Sequence, residues 1–266
     1  MTKNKKEELN SQENKRFLDN MPKWLIPIVV IVSLLLIFLI AQYVAIFVLS
    51  FYTFLRGWDM AQANAWLNKS ITAQFIYVFL AEAMTVGLVY LVLKYRHSSF
   101  RELGLKRPRL KDGGLAILGY PTYLIMYLIL AAIIKHIFVS LNVNQAQNIG
   151  FNSVHGVYQL TLTFFSLVIF PPIAEEILFR GFLFEGLKKA MPVFFAGFIT
   201  CLLFAAAHLL EGGSSGLFWI GAIDIFTLSV VLVYLKQKTK SLWPGIFLHG
   251  LNNLIAFITL FLLTNR

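Results

Sequence analysis

Seven apolar runs, each about as long as a bilayer is thick, dominate this chain. They lie at about 24–51, 71–93, 115–139, 158–187, 193–210, 217–235 and 243–263. A helix needs roughly 20 apolar residues to cross the hydrocarbon core, and it pairs its own backbone groups where no water can reach them. The chain is 58% hydrophobic and 14% charged, whereas a soluble domain is nearer half apolar and a quarter charged. An ordinary soluble domain is excluded. The expectation is an all-α, polytopic membrane bundle of about seven transmembrane helices, in contact with the lipid bilayer and multi-pass.

The charge between the runs sets an orientation. Basic residues cluster in 94–111 (Lys94, Arg96, Arg101, Lys106, Arg107, Arg109, Lys111), at Lys188 and Lys189, and at Lys236, Lys238 and Lys240. The segment 58–70 holds only Asp59 and Lys69, and 140–156 has no lysine or arginine. Under the positive-inside rule this alternation predicts a cytoplasmic N-terminus, an external C-terminus and an odd number of spans. The formal net charge of +10 is then loop charge, and no nucleic-acid partner is expected. Residues 1–23 read as a polar cytoplasmic tail, too long and too acidic for the first region of a cleaved signal, and the run 24–51 reads as a retained span. Residues 98–108 read either as a short amphipathic helix with Phe100, Leu103 and Leu105 touching lipid or as an ordinary basic loop. The single cysteine, Cys201, allows no intrachain disulfide.

Against this apolar background the charged and polar side chains inside the runs stand out, because a buried charge in a membrane is costly and usually has a task. The fourth run contains Pro171-Pro172-Ile173-Ala174-Glu175-Glu176-Ile177-Leu178-Phe179-Arg180-Gly181. The prolines imply a kink or a new helix start. Glu176 and Arg180 are four apart, within pairing reach on one helix face. Glu175 points about 100° away and is free for another neighbour. The fifth run carries Phe204-Ala-Ala-Ala-His208, the sixth Asp224, and the seventh His249-Gly-Leu-Asn-Asn253. At about 1.5 Å per residue from the basic ends, Glu175 lies about 20 Å deep, His208 about 24 Å, Asn253 and Asp224 about 18 Å, and His249 about 12 Å. Each has a structural reading of its own: a histidine as an interhelical donor, Glu176–Arg180 as a plain ion pair, Asp224 as an acceptor for a hydroxyl or a histidine. Lys135 and His136 near the outer end of the third run are placed to snorkel. Polar groups from four runs at one depth point instead to a shared site.

Glu175-Glu176-x-x-x-Arg180, Phe204-x-x-x-His208 and His249-x-x-x-Asn253, in this order and helical setting, resemble the CPBP family (CAAX-protease and bacteriocin-processing proteins, also called Abi), which includes the type II CAAX prenyl endopeptidases. The resemblance covers about 155–260. It divides the chain into the tail 1–23, N-terminal transmembrane helices over 24–150, and core helices of the CPBP type over 151–266. It implies an intramembrane endopeptidase in which Glu175 activates water, His208 helps to hold that water, His249 and Asn253 donate to the oxyanion, and Glu176 with Arg180 fixes the motif. Phe204 and Asp224 are expected to support the site.

The chemistry of the residues agrees with that assignment. Peptide hydrolysis needs a base, a water and oxyanion donors, and a carboxylate in a partly desolvated cavity is a better base near neutral pH than one in water. No His-Glu-x-x-His pattern occurs. No metal or other cofactor is expected, since the histidines sit on different helices and Asn253 is a poor zinc ligand but a good amide donor. The alternative is zinc held by Glu175, His208 and His249, in keeping with the name metalloprotease that the family often carries. The expected partner is a peptide or protein substrate at the membrane: a prenylated tail, or a bacteriocin leader or pheromone precursor in a bacterial cell membrane. The rival readings are a non-proteolytic scaffold or bacteriocin self-immunity protein, and a transporter with Glu175 and Asp224 as proton relay.

Overall fold

The computed structural model describes residues 21–151 and 154–263. Of the polar tail read over 1–23, residues 1–20 lie outside the described residues. Among the described residues there are helices and connecting loops and no strand. We number the helices α1 (Leu25–Leu55), α2 (Met60–Lys69), α3 (Ile71–Tyr95), α4 (Leu110–Ile137), α5 (Gly156–Leu187), α6 (Val193–Ala207), α7 (Trp219–Thr239) and α8 (Trp243–Leu263). Seven helical segments, those at all of these positions except α2, are long and apolar enough to cross a membrane. The seven expected spans therefore appear where the apolar runs place them.

Each span divides its apolar residues between protein and lipid. On α1 the buried set Ile26, Val30, Leu34, Ile37, Ala41, Ala45 and Leu49 recurs every three or four residues, the spacing of one helix face. Leu35, Leu36, Leu39 and Phe47 on the other faces are exposed. That is the exterior a bilayer solvates. The buried face of α1 packs against α3 and the end of α5. There Gly186 admits Val30, whose Cγ1 would lie 2.9 Å from any Cβ at position 186.

α5 runs through the centre, and its stretch Glu176–Leu183 is wholly buried. Its path is not a uniform α-helix. A widened π turn spans Phe165–Ile169, after which the helix restarts at Phe170 with both prolines in its first turn. One apolar core surrounds α5, with residues from α1, α3, α6 and α8. A second, built on Tyr123, Leu228, Leu232 and Leu248, joins α4, α7 and α8.

One connection differs from expectation, and another takes the second of its two readings. The segment 58–70 is not a loop: α2 forms there, capped by Asp59, whose carboxylate accepts from Gln62 N at 2.8 Å while Gln62 Oε1 accepts from Asp59 N at 3.0 Å. This reciprocal pairing is a capping box. Residues 98–108 form turns rather than an amphipathic helix, and the apolar residues in them do not face lipid. Leu103 is buried against Gly181, and Phe100 and Leu105 pack on the α5 core. The segment is pinned by Leu242 N donating to Gly104 O at 3.0 Å and by Trp243 Nε1 donating to Lys106 O. Lys135 does turn back from its helix end, donating to the carbonyls of Val139 and Leu141 at 2.6 and 2.7 Å.

Candidate active site

The wide turn in α5 follows from its prolines. The carbonyl of Leu167 would be bonded from position 171 in an α-helix and from 172 in a π turn, and both are proline, which has no N–H. Asn253 on α8 supplies the missing donor: its Nδ2 lies 2.9 Å from Leu167 O. One of the two N–H groups of Asn253 is therefore spent on tying α8 to the broken part of α5. The sequence reading gave Asn253 only the oxyanion.

One turn further along α5 the two glutamates part. Glu176 is 1% exposed and Arg180 0%. Arg180 donates through one terminal nitrogen to Glu176 Oε1 at 2.8 Å and through the other to Ser229 Oγ on α7 at 2.6 Å. Its guanidinium carbon stands 4.1 Å from the centre of the Phe204 ring, within cation–π range. Gly245 makes room for the carboxylate, since a Cβ there would come within 2.7 Å of Glu176 Oε2. The expected ion pair is thus present, with Phe204 as its floor. Ser229 and Gly245 are parts of the arrangement that the sequence reading missed.

Both histidines are oriented through Nδ1. His208 is the residue that ends α6, and its Nδ1 is 2.8 Å from Phe204 O. A carbonyl only accepts, so Nδ1 carries the hydrogen, and Nε2 lies 4.0 Å from Glu211 Oε1. His249, 5% exposed, has Nδ1 3.4 Å from Glu176 Oε1. By the same logic it donates there and turns Nε2 outward. That Nε2 lies 3.8 Å from Oε2 of Glu175, longer than a direct hydrogen bond. Glu175 Oε2 is itself buried and, among the described residues, without a hydrogen-bond partner. The Phe204 ring stands edge-on to both imidazoles, with centroids 4.8 Å from His208 and 5.8 Å from His249.

These groups open onto one cavity of about 520 Å³, lined by Glu175, His208, His249 and Asn253, with Phe204 and Asp224. The structure therefore brings together the polar groups that the depth argument put in one layer. Asp224 accepts from Tyr123 Oη on α4, so of the two acceptor roles read for it the hydroxyl is the one found. The loop before α5 roofs the cavity with Gln147, Asn148, Ile149 and Phe151. It is held by Gln147 Nε2 donating to Glu211 Oε2 at 2.6 Å and by Phe151 N donating to Gln74 Oε1 at 2.7 Å. Glu82 on α3 and Glu211 also line the cavity. The sequence reading passed over both. A carboxylate in the middle of the second apolar run was the available signal for Glu82.

Glu175, His208 and His249 share the cavity, but among the described residues no three His, Cys, Asp or Glu side chains group as a metal-ligand set. No step below is routed through a metal.

What the arrangement offers is a carboxylate oxygen with no hydrogen-bond partner among the described residues, two imidazoles set through Nδ1, and an amide, all facing one cavity inside a bundle of membrane-spanning length. Neither the curated proteins nor the solved structures provide a match to the chain. A family match supports a membrane peptidase of the CAAX type at family level. Residues 157–255, which carry all three motifs, match the family model described as type II CAAX prenyl endopeptidase Rce1-like, and this identifies the segment as consistent with a CPBP-family protease.

Proposed function

We propose that this chain is an intramembrane endopeptidase that hydrolyses a peptide bond of a membrane-proximal peptide or protein, with Glu175 as the general base. The observation that carries the reading is the buried, unpartnered Oε2 of Glu175, 3.8 Å from His249 Nε2, on the wall of the 520 Å³ cavity. A gap of this length between two polar atoms is one that a shared water bridges. Glu175 takes a proton from that water as its oxygen bonds to the scissile carbonyl carbon, and the carbonyl electron pair moves onto oxygen. The second N–H of Asn253 faces the cavity from α8 and stabilises the oxyanion, joined by His249 when it is protonated and its Nε2 also carries a hydrogen. When the C–N bond breaks, the proton held by Glu175 passes to the leaving amine, which leaves a free carboxylate and a free amine.

His208 holds the water from the α6 side, with its ring set by Phe204 O. Glu176 stays out of the chemistry because Arg180, itself held by Ser229, pairs with it, and it steadies His249 through Nδ1. The proposed reaction uses no metal. In the proposed orientation the basic segment 94–111 lies on the cytoplasmic side.

The test is hydrolysis by the full chain reconstituted in liposomes, read by mass spectrometry. The probes are a farnesylated cysteine peptide with three residues after the cysteine and its unprenylated counterpart. Release of a defined fragment by the wild type and its loss in Glu175→Gln supports the reading. Binding of the peptide without cleavage by either protein rejects it in favour of a scaffold.

A further inference from the structure

Beside the main cavity lies a smaller one of about 250 Å³, below the roughly 300–1,000 Å³ of sites that take a whole small molecule. It is of side-chain size. Four residues line both cavities and so stand at their junction: Glu82, Glu175, His208 and Glu211. Three of these are carboxylates. Among the described residues no lysine or arginine lines either cavity, although the chain as a whole carries a formal charge of +10. Arg180 is committed to Glu176 and Ser229 and is 0% exposed.

The carboxylates at the junction are not equivalent. Glu211 accepts from Gln147, and Glu175 faces His249. Glu82 has no hydrogen-bond or ion-pair partner among the described residues. It sits about 16 Å along α3 from the start of that helix, at about 1.5 Å per residue. A carboxylate at mid-span without a cation is unfavourable until something positive approaches it. α3 also lies outside the family-matched segment 157–255. Glu82 is therefore added to the cavity by the part of the chain that the family match does not cover.

Resting on the endopeptidase reading, we propose that Glu82 is a specificity-determining residue that selects substrates with a lysine or arginine side chain beside the scissile bond. The smaller cavity suits such a side chain. Phe38, Leu178 and Phe179 give its alkyl stem an apolar wall, and the carboxylate at the junction takes the charged head. A fixed cation is the less favoured occupant, because no metal-ligand set forms at the junction among the described residues.

The test uses the full chain in liposomes and a set of farnesylated cysteine peptides. Lysine, or its uncharged counterpart norleucine, occupies each position on either side of the cysteine in turn. Cleavage is read as kcat/KM, and binding is read separately on the inert Glu175→Gln protein. The expected result is a lysine-over-norleucine preference of at least about tenfold at one position, the scale of a charge-assisted contact. Glu82→Gln collapses that ratio toward one, and Glu82→Asp, which keeps the charge and guards against a misfolded variant, retains it. No preference at any position overturns the proposal, and so does a preference that Glu82→Gln leaves unchanged while both peptides lose activity equally. Cleavage without preference leaves the endopeptidase reading standing. A preference in binding that depends on Glu82, without any cleavage, supports the selectivity and removes the endopeptidase reading.

Discussion

Replacing Arg180 by alanine removes the guanidinium that Glu176 is paired with. The wild-type arginine is 0% exposed, 2.8 Å from Glu176, 2.6 Å from Ser229 and stacked 4.1 Å from Phe204. The substitution leaves a carboxylate that is 1% exposed with only the Nδ1 of His249 near it, at 3.4 Å. Breaking a buried pair by deleting one partner costs about 3–5 kcal/mol, because the remaining charge is stranded. At about 1.4 kcal/mol per factor of ten, that lowers the folding equilibrium more than a hundredfold. Losing the contacts to Ser229 and Phe204 falls within the same figure rather than adding to it. Two controls separate charge from volume. Arg180→Met keeps much of the bulk and should be nearly as unstable as Arg180→Ala. The double variant Glu176→Gln/Arg180→Met should recover stability, since an apolar or neutral replacement of a whole buried pair is often neutral. The assay is thermal unfolding of the detergent-solubilised protein beside its abundance in membranes by immunoblot, with Glu175→Ala as reference. Glu175 is 22% exposed and has no hydrogen-bonded partner at Oε2, so its loss should leave abundance near wild type. If Arg180→Ala unfolds at the wild-type temperature and accumulates equally, the buried pair is not what holds the motif.

Three further outcomes follow from the geometry. Gly245→Ala puts a Cβ 2.7 Å from Glu176 Oε2. It should cost about 1–3 kcal/mol, the usual range for overpacking, and lower activity as well, read by the same unfolding and cleavage assays. Asn253→Ala strips the donor from Leu167 O, so it should lower stability by about 1–3 kcal/mol in addition to slowing cleavage. Asn253→Asp, an acceptor where a donor is needed, should not rescue either loss. Exhaustive chelation should leave cleavage by the purified protein intact. Stoichiometric zinc, with activity lost to chelator and restored by zinc, would recast Glu175, His208 and His249 as ligands.

The spans were legible because length and apolarity are local properties, and the shared depth of Glu175, His208, Asp224, His249 and Asn253 was legible because rise per residue is fixed. α2 was legible in principle: Asp59 and Gln62 have capping-box spacing, hidden by the polar composition of the segment. The partners that complete the site were not readable. Ser229 and Gly245 are one small residue each, with no periodicity or motif to mark them. The bond from Asn253 to Leu167 O exists only because two prolines free a carbonyl, and which side chain answers it depends on packing between helices. Residues 98–108 show the same limit. Phe100, Leu103 and Leu105 announce an apolar surface, but lipid tails and a protein core are equally apolar. Only the fold decides that they cover α5.

The account rests on a division of labour between adjacent glutamates, and one paired measurement addresses it: turnover and thermal unfolding on the same preparations of Glu175→Gln and Glu176→Gln. Glu175→Gln should lower turnover by about 10²–10⁴, the usual contribution of a general base, while its unfolding temperature stays at the wild-type value. Glu176→Gln should unfold at a lower temperature, because it strands the buried Arg180, and any activity it loses should come with that instability. Full turnover in Glu175→Gln, or a destabilised Glu175→Gln beside an unaffected Glu176→Gln, would contradict the assignment of Glu175 as the base.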